Sequence, residues 1–168
     1  MTTTLHTLSL RHTRALLITT AFVVGGLMLP QLCHLLPQGG LILLPIYFFT
    51  LIAAYKYGYQ VGLTTAIATP IANTLLFGMP LPAVLPFILI KSALLALCAA
   101  YIAQRFKRVS LLLLFGVVFA YQLLGSLIES ILIGSFANGF QDFRIGLPGL
   151  LLHIFCGYFL LTLNDLRR

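Results

Sequence analysis

Long apolar segments alternate with short polar, glycine- or proline-containing stretches along almost the whole chain. A bilayer-spanning α-helix needs roughly 20 mostly apolar residues, and each of these segments approaches or exceeds that length. The pattern therefore predicts an all-α membrane protein, a six-transmembrane-helix bundle forming one integral membrane domain over residues 1–168. The predicted helices cover residues 14–36, 41–57, 61–77, 81–103, 109–134 and 145–163.

The composition agrees with this pattern. Hydrophobic residues make up 60% of the chain and charged residues only 8%, whereas soluble domains carry about a quarter charged residues. A basic stretch precedes the first apolar segment, as in a signal peptide, but no small-x-small cleavage site follows it. We therefore predict that the first segment is a transmembrane helix.

The formal net charge of +7 would suit a nucleic-acid partner, but its distribution favours membrane orientation instead. Apart from Lys91 and Arg144, every basic residue lies before or at the start of the first predicted helix, or at or after the end of the second, fourth or sixth. Basic residues concentrate on the cytoplasmic side of membrane proteins. The pattern thus predicts cytoplasmic termini, a multi-pass membrane protein, and no nucleic-acid partner.

Lys91 lies inside the fourth apolar segment. A lysine facing lipid at the middle of a helix costs about 2.5–3.5 kcal/mol on insertion scales, so the chain should supply a partner. Glu129 in the fifth segment is the candidate. The pair could lock the two helices together, or both residues could bind a ligand.

Other polar residues fall at similar depths in the predicted outer half. At roughly 1.5 Å per residue, Asn73 lies about 6 Å and Glu129 about 8 Å below the outer ends of their helices. His153 lies about 12 Å and Lys91 about 15 Å below theirs on the same measure. The inner half is mostly apolar. This distribution predicts a pocket that opens outward and is sealed inward.

The candidate binding residues combine these buried positions with polar residues of the predicted outer loops. Asn73 could instead join helices, and His153 could be an ordinary core residue. Lys91, Arg144 and His153 favour an anionic ligand, whereas Glu129 and Asp142 favour a cationic one. The full candidate set is Lys91, Glu129, His153, Asn73, Gln122, Gln31, His34, Gln38, Arg144 and Asp142.

Sequence signatures of catalysis and metal binding do not occur. The chain has no phosphate-binding loop, no GxSxG or HExxH motif and no dinucleotide-binding glycine pattern. Its three cysteines lack zinc-ligand spacing, and we expect them to be small core residues. No catalytic residue, metal or cofactor is predicted, although His34 beside Cys33 leaves a metal-containing cargo open.

Four short stretches carry a likeness to a known family. They are the small-xxx-small pair Ala21 and Gly25 in the first helix, the outer-loop sequence LFGMP at residues 76–80, LCHLLPQGG at 32–40 and FRIG at 143–146. The first two resemble the substrate-binding S components of energy-coupling factor (ECF) vitamin transporters, and the last two are similar to uncharacterised bacterial members of that group. The resemblance implies a multi-pass protein of the bacterial cytoplasmic (inner) membrane. The likeness extends over nearly the whole chain, through the predicted helix number, chain length and orientation.

The resemblance implies a transport subunit that is not itself an enzyme. Such a subunit captures a vitamin or similar micronutrient from outside and delivers it with a transmembrane coupling subunit and two ABC ATPases. Docking on that partner would use Ala21 and Gly25, where glycine replaces the family's second alanine. Two alternatives are a structural membrane scaffold of the rod-shape protein type and a small membrane enzyme using Glu129 and His153 as acid and base.

Overall fold

The computed structural model describes residues 13–166, with side chains described through residue 163. Arg11, Arg167 and Arg168, which contribute to the predicted orientation, lie outside the described residues. All regular secondary structure within 13–166 is helical. The helices are α1 (Thr13–Cys33), α2 (Gly39–Leu43), α3 (Ile46–Tyr57), α4 (Tyr59–Phe77), α5 (Leu85–Phe106), α6 (Leu111–Ile133), α7 (Phe136–Gly139), α8 (Gln141–Ile145) and α9 (Leu147–Leu166).

The second predicted helix is broken into two pieces, which corrects the expectation of one helix with Pro45 in its first turns. Leu44 adopts a left-handed conformation (φ 49°) and ends α2 by donating its N–H to the carbonyl of Gly40. Pro45 has no N–H to continue the helix and becomes the N-cap of α3. The break offsets α2 from α3 beside the cavity described below.

The fourth predicted helix starts later than expected. Residues 78–84 form a loop, and α5 begins at Leu85 with a proline in its first turn, where the missing N–H costs no helix bond. Lys91 therefore lies about 9 Å from the start of its helix rather than about 15 Å. The later start brings Lys91 closer to the connecting segments at this end of the bundle.

The segment predicted as the longest loop, residues 135–144, instead contains the short helices α7 and α8. Gly139 makes this compact path possible. An added Cβ there would overlap the Ser130 side chain and backbone of α6, so only glycine lets α7 approach this closely. The turn places Asp142 of α8 against the bundle.

Helix α3 is the centre of the bundle and packs against α1, α4, α5 and α9. Helix α6 closes the ring by contacting both α5 and α9, and α2 touches both α1 and α9. The main core cluster is fully buried around α3, α5 and α6 and includes Leu51, Leu95, Ala99, Leu114 and Leu161. Small residues on α3 and α5 allow this close packing.

Gly62, Thr65, Thr69 and Asn73 recur at helical spacing on α4 and are all buried, so this polar stripe faces protein. A small residue has a similar role on α9. A Cβ on Gly149 would lie 2.5 Å from the Leu43 carbonyl, so α9 and α2 are in backbone contact.

The cysteines depart from the expected core positions. Cys33 is buried, Cys98 is half-buried and Cys156 is exposed. Cys156 is exposed on α9, where its small apolar thiol can face lipid. The prediction of three core cysteines is wrong for Cys156.

The two ends of the bundle differ in chemistry. One end, which we call the basic end, holds Lys56, Arg105, Lys107 and Arg108 around the α3–α4 and α5–α6 connections. There the Tyr55 hydroxyl donates a 2.7 Å hydrogen bond to the Arg108 carbonyl. Tyr55 is fully buried, so its hydroxyl joins α3 to the α5–α6 connection and does not lie at the membrane interface.

Within residues 13–166, four helical segments are long and apolar enough to cross a membrane: Thr13–Cys33, Gly39–Tyr57, Leu85–Phe106 and Leu111–Ile133. Large apolar side chains cover the outside of the bundle, among them Leu17, Leu75, Leu112 and Ile131. An outer surface of this kind requires lipid around it. The chain is a helical membrane protein, and the count of six spans stays a prediction.

Candidate functional site

The Nζ atom of Lys91 is held between two carboxylates. It lies 2.5 Å from Oε2 of Glu129 on α6 and 2.7 Å from Oδ2 of Asp142 on α8. The Asp142 contact also has hydrogen-bond geometry, whereas the Glu129 contact is an ion pair. The predicted Lys91–Glu129 partnership is confirmed, and Asp142 is a third member that the sequence did not assign to it.

A glycine gives the lysine its path between the helices. A Cβ on Gly125 of α6 would lie 2.5 Å from Cγ of Lys91 on α5, so the lysine stem occupies the space above this glycine. Glu129 follows one turn later on the same helix. This arrangement draws the ammonium group toward the end of the bundle where α8 lies.

The cluster is buried and its charges do not balance. The exposed side-chain fractions are 1% for Lys91, 11% for Glu129 and 24% for Asp142. One positive and two negative groups give a formal charge of −1. Buried ionic groups are costly unless compensated, and Asp142, the most exposed of the three, is the member best placed to meet a further partner.

Asp142 also lines a cavity of about 390 Å³. We call the end of the bundle that contains this cavity the cavity end. The cavity lies between the end of α1, helix α2, the start of α3, the loop 78–84 and the start of α5. Its lining residues are Pro30, His34, Gln38, Gly40, Leu41, Leu44, Pro45, Ile46, Tyr47, Met79, Pro80, Leu81, Val84, Ile88 and Asp142.

The cavity is mostly apolar with a few polar groups. His34 and Gln38, two predicted site residues, line its exposed side, and Tyr47 lines its buried side. Among the described lining residues, Asp142 is the only one with a fixed charge. An apolar cavity with few, well-placed polar groups is the usual form of a small-molecule site.

Asn73 and Gln31 lie outside this lining and serve helix packing. Pro30 lies within α1 and has no N–H, so the Gly26 carbonyl lacks its usual helix donor. Asn73 of α4 donates its Nδ2 to that carbonyl at 3.0 Å. Gln31 donates to the Asn73 side chain at 3.4 Å. The structural alternative considered for Asn73 is therefore the one observed.

Gln122 and His153 are fully buried and do not line the cavity. Gln122 shares a buried face of α6 with Ser126 and Glu129, in keeping with their three- and four-residue spacing. His153 packs against Phe48, with ring centroids 5.9 Å apart. Within the described part of the chain, neither the Gln122 amide nor the His153 ring has a hydrogen bond of good geometry.

Arg144 is exposed and is also absent from the cavity lining. It lies two residues after Asp142 on α8, so the two side chains leave the short helix on different sides. The sequence drew attention to Arg144 as an outer-loop charge, but the turn of α8 directs Asp142 inward instead.

Sequence reasoning missed Tyr47 and the apolar residues that shape the cavity. Tyr47 lies in an apolar run with no distinguishing spacing. The available signal was Pro45, since a proline two residues earlier in an apolar helix indicates a break. The loop prolines near residues 80–82 were a similar indication that α5 would begin late.

The two predicted docking residues differ in exposure. Ala21 is exposed on the outer face of α1. Gly25 is half-buried, and a Cβ there would lie 2.8 Å from the Phe49 ring of α3. Gly25 thus takes part in packing inside the bundle, while Ala21 is free to contact another protein or lipid.

Comparison with protein-family models, curated proteins and solved structures gave no match for this chain.

Proposed function

We propose that this chain is the substrate-capture subunit of an importer of the ECF type, an S component. In this role it lies in the bacterial inner membrane with six spans and both termini in the cytoplasm. It binds a vitamin-like micronutrient from outside in the cavity and delivers it inward with a coupling subunit and two ABC ATPases. The chain itself carries out no chemical reaction on its ligand.

The observation that carries this proposal is the cavity together with the ion cluster beneath it. A scaffold needs neither a 390 Å³ cavity nor a buried lysine between two carboxylates. The cavity lies at the end of the bundle opposite the basic residues Arg105, Lys107 and Arg108. By the positive-inside tendency, that end faces outward.

The first experiment is to identify small molecules that co-purify with the protein by mass spectrometry. The identified molecule should raise the melting temperature of ligand-free protein, because binding to the folded state alone stabilises it. Met79→Trp, which fills the cavity from the exposed loop 78–84, should remove this rise. Leu112→Trp on the exposed outer surface of α6 is the matched control and should preserve it.

The alternatives give different results. A scaffold protein would show no ligand-induced rise with any co-purified molecule, and Met79→Trp would leave its behaviour unchanged. A membrane enzyme would convert the added molecule without partner subunits. An S component should bind the molecule unchanged and transport it only when the coupling module is present.

A further inference from the structure

The sequence leaves open whether the ligand is an anion or a cation, and the geometry bears on this choice. The three side chains that favour an anion are not available in the cavity. Lys91 is bound by two carboxylates, Arg144 is exposed away from the lining, and His153 is buried against Phe48. No described lining residue carries a fixed positive charge, and His34, the basic side chain in the lining, lies on the exposed side of the cavity. A ligand anion would therefore meet the Asp142 carboxylate without a fixed positive charge beside it.

A cationic group in the cavity would find a negative charge to bind. The cluster carries one unbalanced negative charge, and Asp142 is both its most exposed member and part of the cavity wall. The hydrogen bond with Lys91 uses Oδ2, so Oδ1 remains available as an acceptor. Tyr47 lines the same cavity, and tyrosine rings attract cations placed over their faces.

We propose that the ligand carries a positively charged nitrogen group that binds Asp142, with an apolar body filling the rest of the cavity. This inference rests on the proposed function and names the substrate class of the same site. Lys91 then acts as a positioning residue, because it holds Asp142 at the cavity wall. Glu129 supplies the second negative charge that lets Lys91 stay buried while Asp142 serves the ligand.

Three probes with a shared benzyl group and tetrahedral head test the charge directly. They are benzyltrimethylammonium, the neutral benzyl methyl sulfone and the anionic benzylsulfonate. Their dissociation constants would be measured by titration calorimetry on the full chain in detergent. We expect the ammonium compound to bind most tightly and the sulfonate most weakly.

The Asp142→Asn variant removes the negative charge and leaves the Lys91–Glu129 pair balanced. It should weaken ammonium binding about tenfold to a hundredfold, since contacts with a charged group contribute that much. Sulfone affinity should stay within about twofold, because that probe has no charge to lose. Arg144→Gln is the matched control, a charge change on the same short helix outside the cavity, and should not weaken ammonium binding.

Asp142→Glu is the control for a folding defect caused by substitution at this position. It keeps the negative charge and should therefore keep the preference for the ammonium probe. Tighter binding of sulfonate than of ammonium, or equal ammonium binding in Asp142→Asn, would overturn the charge assignment while leaving small-molecule capture standing. Failure of all three probes to bind, with no co-purifying molecule, would contradict both proposals. A co-purified ligand bearing only negative groups would overturn the cation assignment alone.

Discussion

Lys91 touches two carboxylates, so removing its charge alone leaves Glu129 and Asp142 next to each other without compensation. We expect Lys91→Met to destabilise the protein by about 3–5 kcal/mol, the cost typical of breaking a buried ion pair. The triple change Lys91→Met, Glu129→Leu and Asp142→Asn should recover most of this loss, because no buried charge remains. Thermal unfolding in detergent measures both effects.

A double change of Lys91 and Glu129 would be the natural test if these two residues formed an isolated pair. The structure shows that this double change leaves Asp142 without its lysine. A double variant as unstable as Lys91→Met, together with a stable triple variant, would establish Asp142 as an energetic member of the cluster. Equal stability of the double and triple variants would instead mean that Asp142 is well solvated without Lys91.

Asn73 and Pro30 should be energetically coupled through the Gly26 carbonyl. Asn73→Leu removes the donor to that carbonyl and should cost about 1 kcal/mol, within the range for hydrogen bonds between membrane helices. In a Pro30→Ala background the restored N–H can bond Gly26 within α1, so the same change should cost less. A double-mutant cycle of melting temperatures measures the difference.

Thr162→Val provides the control for this cycle. The Thr162 hydroxyl bonds carbonyls of its own helix, those of Tyr158 and Phe159, and is remote in sequence from α1. Its substitution should show no coupling with Pro30→Ala. Equal costs of Asn73→Leu in both backgrounds would contradict the role assigned to the amide.

At the scale of helices, Gly125 and Gly116 of α6 form a matched pair. A Cβ on Gly125 would lie 2.5 Å from Lys91, whereas one on Gly116 would meet nothing within 4 Å. Gly125→Ala should destabilise by about 1–3 kcal/mol, the cost of overpacking, because the lysine is anchored at its far end. Gly116→Ala should be neutral or stabilising, since alanine favours helix more than glycine.

Thermal unfolding of the two variants separates packing from helix propensity. If Gly125→Ala is as stable as Gly116→Ala, the lysine stem can move aside and α5 and α6 are less tightly joined than the distance indicates. If Gly125→Ala lost ligand binding but kept its stability, the added methyl group would have displaced Lys91 and Asp142 without weakening the packing of α5 and α6.

The sequence predicts where a helix lies when the local pattern of apolar residues determines it. It does not predict the ends of a helix when the three-dimensional path of the chain determines them. The apolar runs predicted the helical segments well, because hydrophobicity over many residues is a local property. The break at Leu44 and Pro45 and the late start at Leu85 occur at or near prolines, and a proline can lie in the first turn of a helix or end it. The Lys91–Glu129 pair was predicted because a membrane segment offers few partners for a buried charge.

Asp142 joins Lys91 from 51 positions away in the chain, and periodicity cannot fix such a contact. Its position depends on the fold of residues 135–144 into α7 and α8, made possible by the close approach at Gly139. The cavity likewise arises from the relative placement of several segment ends. These features required the three-dimensional path of the connections and not just the type of each element.

At the scale of the proposed transporter, Ala21 and not Gly25 gives the clean test of docking. Gly25→Leu would clash with Phe49 inside the bundle, so lost uptake in that variant could reflect misfolding. Ala21→Leu changes an exposed position and should preserve melting temperature and ligand binding. It should block uptake with the coupling module, because close helix contact between proteins in a membrane requires small side chains.

Ala21→Ser keeps the side chain small and should retain uptake. This variant shows whether the size of the side chain, and not any change at position 21, causes the loss. Uptake by Ala21→Leu at the rate of the unmodified protein would remove this face of α1 from the docking hypothesis. Reduced ligand binding in Ala21→Leu would show that the effect is transmitted through the fold and not through a partner.

The orientation of the whole molecule determines whether the cavity can receive a ligand from outside. Single cysteines at Met79 and Asn138 mark the cavity end, and those at Gln60 and Arg108 mark the basic end, in a protein whose Cys33, Cys98 and Cys156 are replaced. All four sites are exposed, so access to each reports only its side of the membrane.

If basic residues lie in the cytoplasm, a membrane-impermeant maleimide should label the cysteines at positions Met79 and Asn138 in intact cells. It should reach those at positions Gln60 and Arg108 only after permeabilisation. Labelling of the cysteine at position Arg108 in intact cells would place the cavity end in the cytoplasm and exclude capture from outside. Labelling at position Met79 but not at position Asn138 would show that the chain crosses the membrane an odd number of times between these two positions.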